Sequence, residues 1–181
     1  SEYKRLLAEL TAIPAKVQTI LDNKAVVQKF VSQNYNKDKV FFIGRLFDSA
    51  SSLECALKLK EVSYMHSEAF AAGELKHGPI ALIDKSTLVI ALATVPELYE
   101  KLSSNIKEVK TRGATSLLIT QDTKNSFADS ADNIVSIPET ETLFESMLAI
   151  IPGQLIAYYC AVLRGIDPDK PRNLAKSVTV E

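Results

Sequence analysis

The chain has 181 residues, with 22 acidic and 21 basic side chains and a formal net charge of −1. That length fits one domain with a proper core, and the near-zero charge removes any electrostatic case for a nucleic acid or an anionic membrane as partner. Its uninterrupted apolar runs are too short to span a bilayer, and no basic segment followed by an apolar stretch opens the chain as a secretory signal would.

Residues 2–12 carry Leu6, Leu7 and Leu10 on one stripe of a short helix. Pro14 sits where a second helix would begin, since a first-turn proline loses no helical hydrogen bond. Val17, Ile20 and Leu21, then Val26, Val27, Phe30 and Val31, continue a helical arm broken near Asp22–Asn23. The polar stretch 34–38 reads as a loop. Lys39–Ile43 (KVFFI), ending at Gly44, reads as a buried strand. A helix is expected over 49–64, followed by an irregular segment with at most a very short strand. Buried strands are expected at 87–93 (TLVIALA), 115–120 (TSLLIT) and 133–137 (NIVSI). Between the first two, a helix runs from Pro96 to Thr111 and stops at Gly113. A long helix covers 141–164, with Pro152–Gly153 as its kink and Gly165 closing it.

Strands alternating with helices argue for a parallel sheet covered on both faces. The organisation expected is a helical arm over 1–36, an α/β lobe over 37–165 and a tail over 166–181. Cys55 and Cys160 fall inside helical apolar patterns and are expected as buried free thiols, which fits a reducing, cytoplasmic setting. Two cysteines and two scattered histidines make no zinc signature. A start at Ser1 rather than methionine is what a piece of a longer chain would show.

Titratable groups concentrate in Leu53–Gly78, LECALKLKEVSYMHSEAFAAGELKHG. Its first half has helical period, which puts Lys58 and Glu61 on one face, three residues apart. Its second half ends in Gly-Glu-Leu-Lys-His-Gly-Pro, an irregular path that holds His77 on a constrained turn. A carboxylate, ammonium groups and an imidazole near a tight turn are the components of acid–base chemistry. The plainer reading is an exposed helix carrying an ordinary Lys/Glu pair. Lys176 stands in an apolar, irregular tail, Leu174–Val178, where desolvation would favour an amine nucleophile; the plainer reading is a solvated lysine.

Open α/β sheets bind ligands at the carboxyl ends of their strands. The loop after the first strand, Gly44–Ser52, offers serine hydroxyls and helix-start amides to a phosphate, or simply a helix cap by Asp48 or Ser49. Neither a GxGxxG nor a GxxxxGK[ST] motif occurs, so dinucleotide and P-loop readings lack their key residues. Ser51 and Glu61 are ten helical residues apart, roughly 15 Å of rise. One small sugar phosphate does not bridge that span, so a base at Glu61 calls for a phosphate grip from outside this lobe.

The segment LKLKEVSYMHSEAFAAGELKHGPIALID, followed by PRNLAKSVTVE at the end of the chain, resembles the glucosamine-6-phosphate synthases, also called glutamine–fructose-6-phosphate aminotransferases (isomerizing). The match is to the second sugar isomerase (SIS) lobe of their isomerase domain and covers essentially the whole chain. The resemblance implies a three-layer αβα sandwich with a five-stranded parallel sheet of flavodoxin-like order, the fifth strand being a short one near His66–Ala69. It implies conversion of fructose 6-phosphate and glutamine-derived ammonia to glucosamine 6-phosphate, by imine formation at C2 and proton movement from C1 to C2. By match of motif, Glu61 shuttles that proton, Lys58 assists it, and His77 takes part in ring opening at a neighbouring subunit's site. Lys176 meets the open-chain keto sugar as a Schiff base, and Ala175 lines the pocket. No metal or organic cofactor is implied; a homodimer is. Nothing in this sequence resembles the glutaminase domain or the first SIS lobe of such enzymes. Their pattern after the first strand begins Gly-Arg-Gly, whereas this chain has Gly44-Arg45-Leu46. The alternative function is a non-catalytic sugar-phosphate-binding or dimerisation module; retention of Glu61, Lys58, His77 and Lys176 together argues against it, because sensing needs no base. A flavodoxin-like carrier lacks any flavin-phosphate loop.

Overall fold

The computed structural model describes residues 1–124, 126–127 and 129–174. Five parallel strands form one sheet in the order β2-β1-β3-β4-β5: β1 Lys39–Gly44, β2 His66–Ala71, β3 Thr87–Ala93, β4 Thr115–Thr120 and β5 Asn133–Ser136. Helices α1 (Glu2–Asp22), α2 (Ala25–Asn34), α3 (Phe47–Ser63), α4 (Tyr99–Lys110) and α5 (Glu145–Leu163) cover it. The sheet is apolar on both sides because consecutive strand residues point to opposite faces. Val40 and Phe42 join Ile90 and Leu117 under α1, α2, α3 and α5. Phe41 and Ile43 join Val89 and Leu118 under α4 and the segment after β2. The result is the three-layer αβα sandwich expected, with the edge strand β2 two residues longer than the resemblance implied.

Residues 2–22 are one helix, not two, and Pro14 lies inside it. Proline there forgoes one backbone hydrogen bond, but Ile13, Val17 and Ile20 form one continuous stripe on the core, which favours an unbroken helix. The 96–111 and 141–164 helices each begin as a 3-10 turn, Pro96–Leu98 and Thr142–Phe144, before becoming α-helical. Thr142–Leu163 is long and apolar enough, by length and composition, to cross a membrane. The uninterrupted runs understate it, because Ser146 and Gln154 break the runs without breaking the helix. Here one side of it packs on α3 and the sheet.

Gly153 explains how closely α3 and α5 approach. A Cβ built on it would lie 2.3 Å from Cys55 Sγ, so only glycine permits the contact. Helix α5 continues through Pro152 and Gly153 as one element. It ends with Gly165 at φ +72°; the Gly165 amide donates to the Val162 carbonyl at 3.0 Å and the Ile166 amide to that of Ala161 at 2.9 Å, a Schellman close. Both cysteines are free and buried, and burial pushes each thiol up to about 12.

Candidate active site

Helix α3 carries functional groups at both ends. It starts just past the carboxyl end of β1 and finishes shortly before β2, whose Ser67 hydroxyl ties the strand to the middle of the helix by donating to the Ala56 carbonyl at 2.7 Å. Buried Cys55, Ala56 and Leu59 hold its inner face on the core. That fixes the rotation of the helix and turns Lys58 and Glu61 outward. Lys58 Nζ donates to Glu61 Oε2 at 2.7 Å and lies 3.8 Å from Glu54 Oε1. The two paired side chains are about one-third exposed, 34% and 28%. The hydrogen bond from Lys58 to Glu61 raises the lysine pKa, with the two carboxylates adding charge attraction. Lys58 is therefore an ammonium at neutral pH, suited to stabilise charge beside Glu61, while Glu61 keeps a free oxygen for a proton.

The helix closes on Tyr64, a non-glycine residue in the left-handed region at φ 58°, ψ 20°. The chain returns to this point 108 residues later: the Arg172 amide donates to Tyr64 Oη at 2.7 Å, and the Arg172 guanidinium lies 4.1 Å from the centre of the Tyr64 ring. Asn173, next along, is also left-handed, at φ 61°. Ala175 and Lys176 lie outside the described residues.

His77 is exposed on the 3-10 turn Glu74–His77, ahead of Gly78 at φ 141°. Leu75 and the Lys76–Glu108 ion pair, 2.7 Å, dock this turn on the α4 side of the sheet. Lys58 and Glu61 belong to the α3–α5 side, so the structure brings those two together and leaves His77 across the sheet from them. His66 is exposed too, 3.1 Å from Glu68.

The other end of α3 differs from the helix cap expected there. The residue before the helix is Leu46, with no side-chain cap. The Asp48 carboxylate instead crosses to β3, accepting from the Thr94 amide at 2.8 Å and the Thr94 hydroxyl at 2.7 Å. The same hydroxyl is 3.3 Å from Glu145 Oε2, and Gln121 Nε2 donates to Glu145 Oε1 at 2.8 Å and to the Thr94 carbonyl at 2.7 Å. A threonine hydroxyl has one proton to give. Every atom is satisfied if it goes to Asp48 while a protonated Glu145 donates to Thr94. Burial raises the pKa of both acids, and the Asp48 charge adds to the effect on Glu145. Ser51 and Ser52 are buried, and Ser51 bonds the Phe47 carbonyl, so neither reaches out to a phosphate.

Glu145 and Gln121 form the floor of a crevice of about 970 Å³ at the carboxyl ends of the strands. Its walls carry Glu97, Glu100, Asp122 and Glu139 against a single lysine, Lys124. Such walls repel a phosphate dianion. Nothing in the sequence marked the Asp48–Thr94–Glu145–Gln121 network, since its members stand on four separate segments and each is unremarkable alone.

The SIS domain family model matches residues 35–164. The chain belongs to the SIS domain family. This SIS chain is 52% identical over 176 residues, 97% of its length, to a glutamine–fructose-6-phosphate aminotransferase (isomerizing) of Caldanaerobacter subterraneus subsp. tengcongensis. It spans only 29% of that protein. Among solved structures it is similar to the C-terminal domain of glucosamine-fructose-6-phosphate aminotransferase from Francisella tularensis, with a TM-score of 0.82 and 33% identity, covering 90% of this chain and 46% of that one. A glucosamine-6-phosphate deaminase from Thermotoga maritima matches with a TM-score of 0.73 and 29% identity, over 97% of this chain and 49% of that one.

Proposed function

We propose that this chain is the C-terminal SIS lobe of a glutamine–fructose-6-phosphate aminotransferase (isomerizing), in which residues 1–36 are a helical arm, 37–165 the lobe and 166–181 a tail that completes the active site. The observation that carries the reading is the meeting of distant motif residues at one place. Glu61, paired with Lys58 at 2.7 Å, lies within one helical turn of Tyr64, where Arg172 seats the start of the terminal motif.

In this reading Lys176 condenses with C2 of open-chain fructose 6-phosphate, losing water to form a Schiff base, and ammonia displaces the lysine to leave the C2 imine. Glu61 removes the proton from C1, which the adjacent iminium acidifies, and returns it at C2, giving glucosamine 6-phosphate. The Lys58 ammonium, 2.7 Å from Glu61 Oε2, holds the carboxyl group in place for the transfer and stabilises charge beside it. His77, across the sheet, serves ring opening in a neighbouring subunit of a homodimer, and Ala175 lines the pocket. The sugar phosphate is held by a first SIS lobe outside this chain, which agrees with the acidic walls of this lobe's own crevice. Ammonia comes from a glutaminase domain, also outside it, and the protein acts in the cytoplasm.

The test compares this chain alone with the same chain inside its full-length protein. With fructose 6-phosphate and ammonium, the chain alone is expected to form no glucosamine 6-phosphate, while the full-length protein forms it from glutamine. Turnover by the isolated chain at the full-length rate would contradict a shared site. A full-length protein that binds the sugar phosphate without converting it would favour the non-catalytic module.

A further inference from the structure

Tyr64 breaks a local rule. A left-handed residue at a helix end is ordinarily glycine or asparagine, and a bulky side chain there is strained. At φ 58° the backbone of Tyr64 delivers the side chain to the tail, where it makes two different contacts with one residue. Its hydroxyl accepts the Arg172 amide at 2.7 Å, and its ring carries the Arg172 guanidinium at 4.1 Å. A stacked guanidinium alone would let the tail slide over the ring. The backbone hydrogen bond fixes its register, and Asn173 at φ 61° then turns the chain sharply.

We propose that Tyr64 and Arg172 form a positioning clamp that fixes where the C-terminal tail leaves the lobe, one turn beyond Glu61. The proposal rests on the reading of Glu61 and Lys176 as parts of one site. Three helical residues separate Glu61 from Tyr64, a rise of about 4.5 Å. Four residues separate Arg172 from Lys176, so the tail between them spans at most about 14 Å when fully extended. With the clamp closed, that length limits how far Lys176 can lie from Arg172; with it open, the last described anchor of the tail is lost and the limit disappears. Tyr64 and Arg172 touch neither proton nor sugar in this scheme; they act through the position of Lys176. Because Arg172 is exposed, the clamp contributes little to the stability of the lobe itself.

Two readouts on Arg172→Ala, Tyr64→Leu and Tyr64→Phe test this. The first needs no assumption about function: in this chain, carboxypeptidase removal of the tail past Arg172 is expected to quicken about tenfold in Arg172→Ala and Tyr64→Leu, with Tyr64→Phe between them and wild type, and with the melting temperature unmoved. An unchanged digestion rate would overturn the clamp. The second uses the full-length protein: borohydride trapping of fructose 6-phosphate on Lys176 and kcat should fall about tenfold or more, KM should stay within about twofold, and Arg172→Lys should recover part of the loss. Faster digestion with unchanged trapping and kcat would leave an anchor with no positioning role and overturn the proposal. A wild-type protein in which Lys176 traps no sugar would instead sink the functional reading, leaving the digestion to judge the clamp.

Discussion

At its amino end α3 places Asp48 in a closed network, only 3% exposed and bonded to Thr94. At its carboxyl end it places Lys58 and Glu61 about one-third exposed, paired, among the described residues, with each other and with Glu54. Thirteen residues of one helix separate Asp48 from Glu61, roughly 20 Å. Through Thr94 that network joins Glu145 and Gln121, which line the large crevice at the position where open α/β sheets bind ligands. At the carboxyl end, among the described residues, Lys58, Glu61 and the Tyr64–Arg172 contact come together on an open surface. The chain spans 29% of its relative, and under the proposed function Lys58 and Glu61 face outward because the remaining walls of their site lie outside this chain. Concavity and burial find the internal acid network; the meeting of distant motifs finds the candidate site.

Substitutions in three places sharpen that contrast. The largest effect on stability is expected where α3 is held in place. Gly153→Ala would push a methyl carbon into Cys55 Sγ, 2.3 Å away, and overpacking of this kind costs about 1–3 kcal/mol. Cys55→Ala in the same chain should recover part of it, since it removes the sulfur but leaves the Cβ 2.9 Å away. Additive losses in a thermal-melt double-mutant cycle would show that the two helices do not depend on this contact.

The acid network comes next. Its pKa values are raised on folding, so its contribution to stability is complete below the ordinary carboxylate range and declines as pH rises through the raised values. Glu145→Gln keeps a donor toward Thr94 and an acceptor for Gln121 without titrating. The stability difference between variant and wild type should therefore move in favour of the variant as pH goes from about 4 to 8. Glu145→Ala should cost about 1–3 kcal/mol at low pH by removing one partner each of Gln121 and Thr94, and less as pH rises. A pH-independent difference for Glu145→Gln would mean that Glu145 carries no extra proton.

The smallest effect is expected at Leu46, an exposed side chain at φ 53°, ψ −121°, a combination that glycine tolerates and leucine does not. Leu46→Gly restores the Gly-Arg-Gly pattern and is expected to stabilise by about 1 kcal/mol, or roughly 2–4 °C in melting temperature. A lower melting temperature would mean that Leu46 gains more from its contacts than it loses in backbone strain.

The layering of the fold was legible in the sequence because continuous apolar runs such as TLVIALA and TSLLIT have few other uses. Helix starts were less so: Pro14 looked like a boundary, and only the stripe Ile13–Val17–Ile20 on the core shows why it is not one. The Lys58–Glu61 pair followed from three-residue spacing alone. Asp48 did not, since a carboxylate in a helix's first turn reads as a cap until β3 is seen to lie beside it. Tyr64 could not be found either: no sequence signal says that a tyrosine is left-handed, nor that a residue 108 positions later will use its hydroxyl.

The central contrast is tested most directly by Glu61→Gln against Glu145→Gln in the full-length protein, measuring turnover and exchange of the C1 proton of fructose 6-phosphate in deuterium oxide. Losing a general base lowers rate by about a hundred- to ten-thousandfold, so Glu61→Gln should lose both turnover and exchange while binding sugar nearly as well. Glu145→Gln, in the crevice, should retain both. Near-wild-type turnover and exchange in Glu61→Gln would contradict Glu61 as the proton shuttle and reduce the pair at the end of α3 to a surface ion pair.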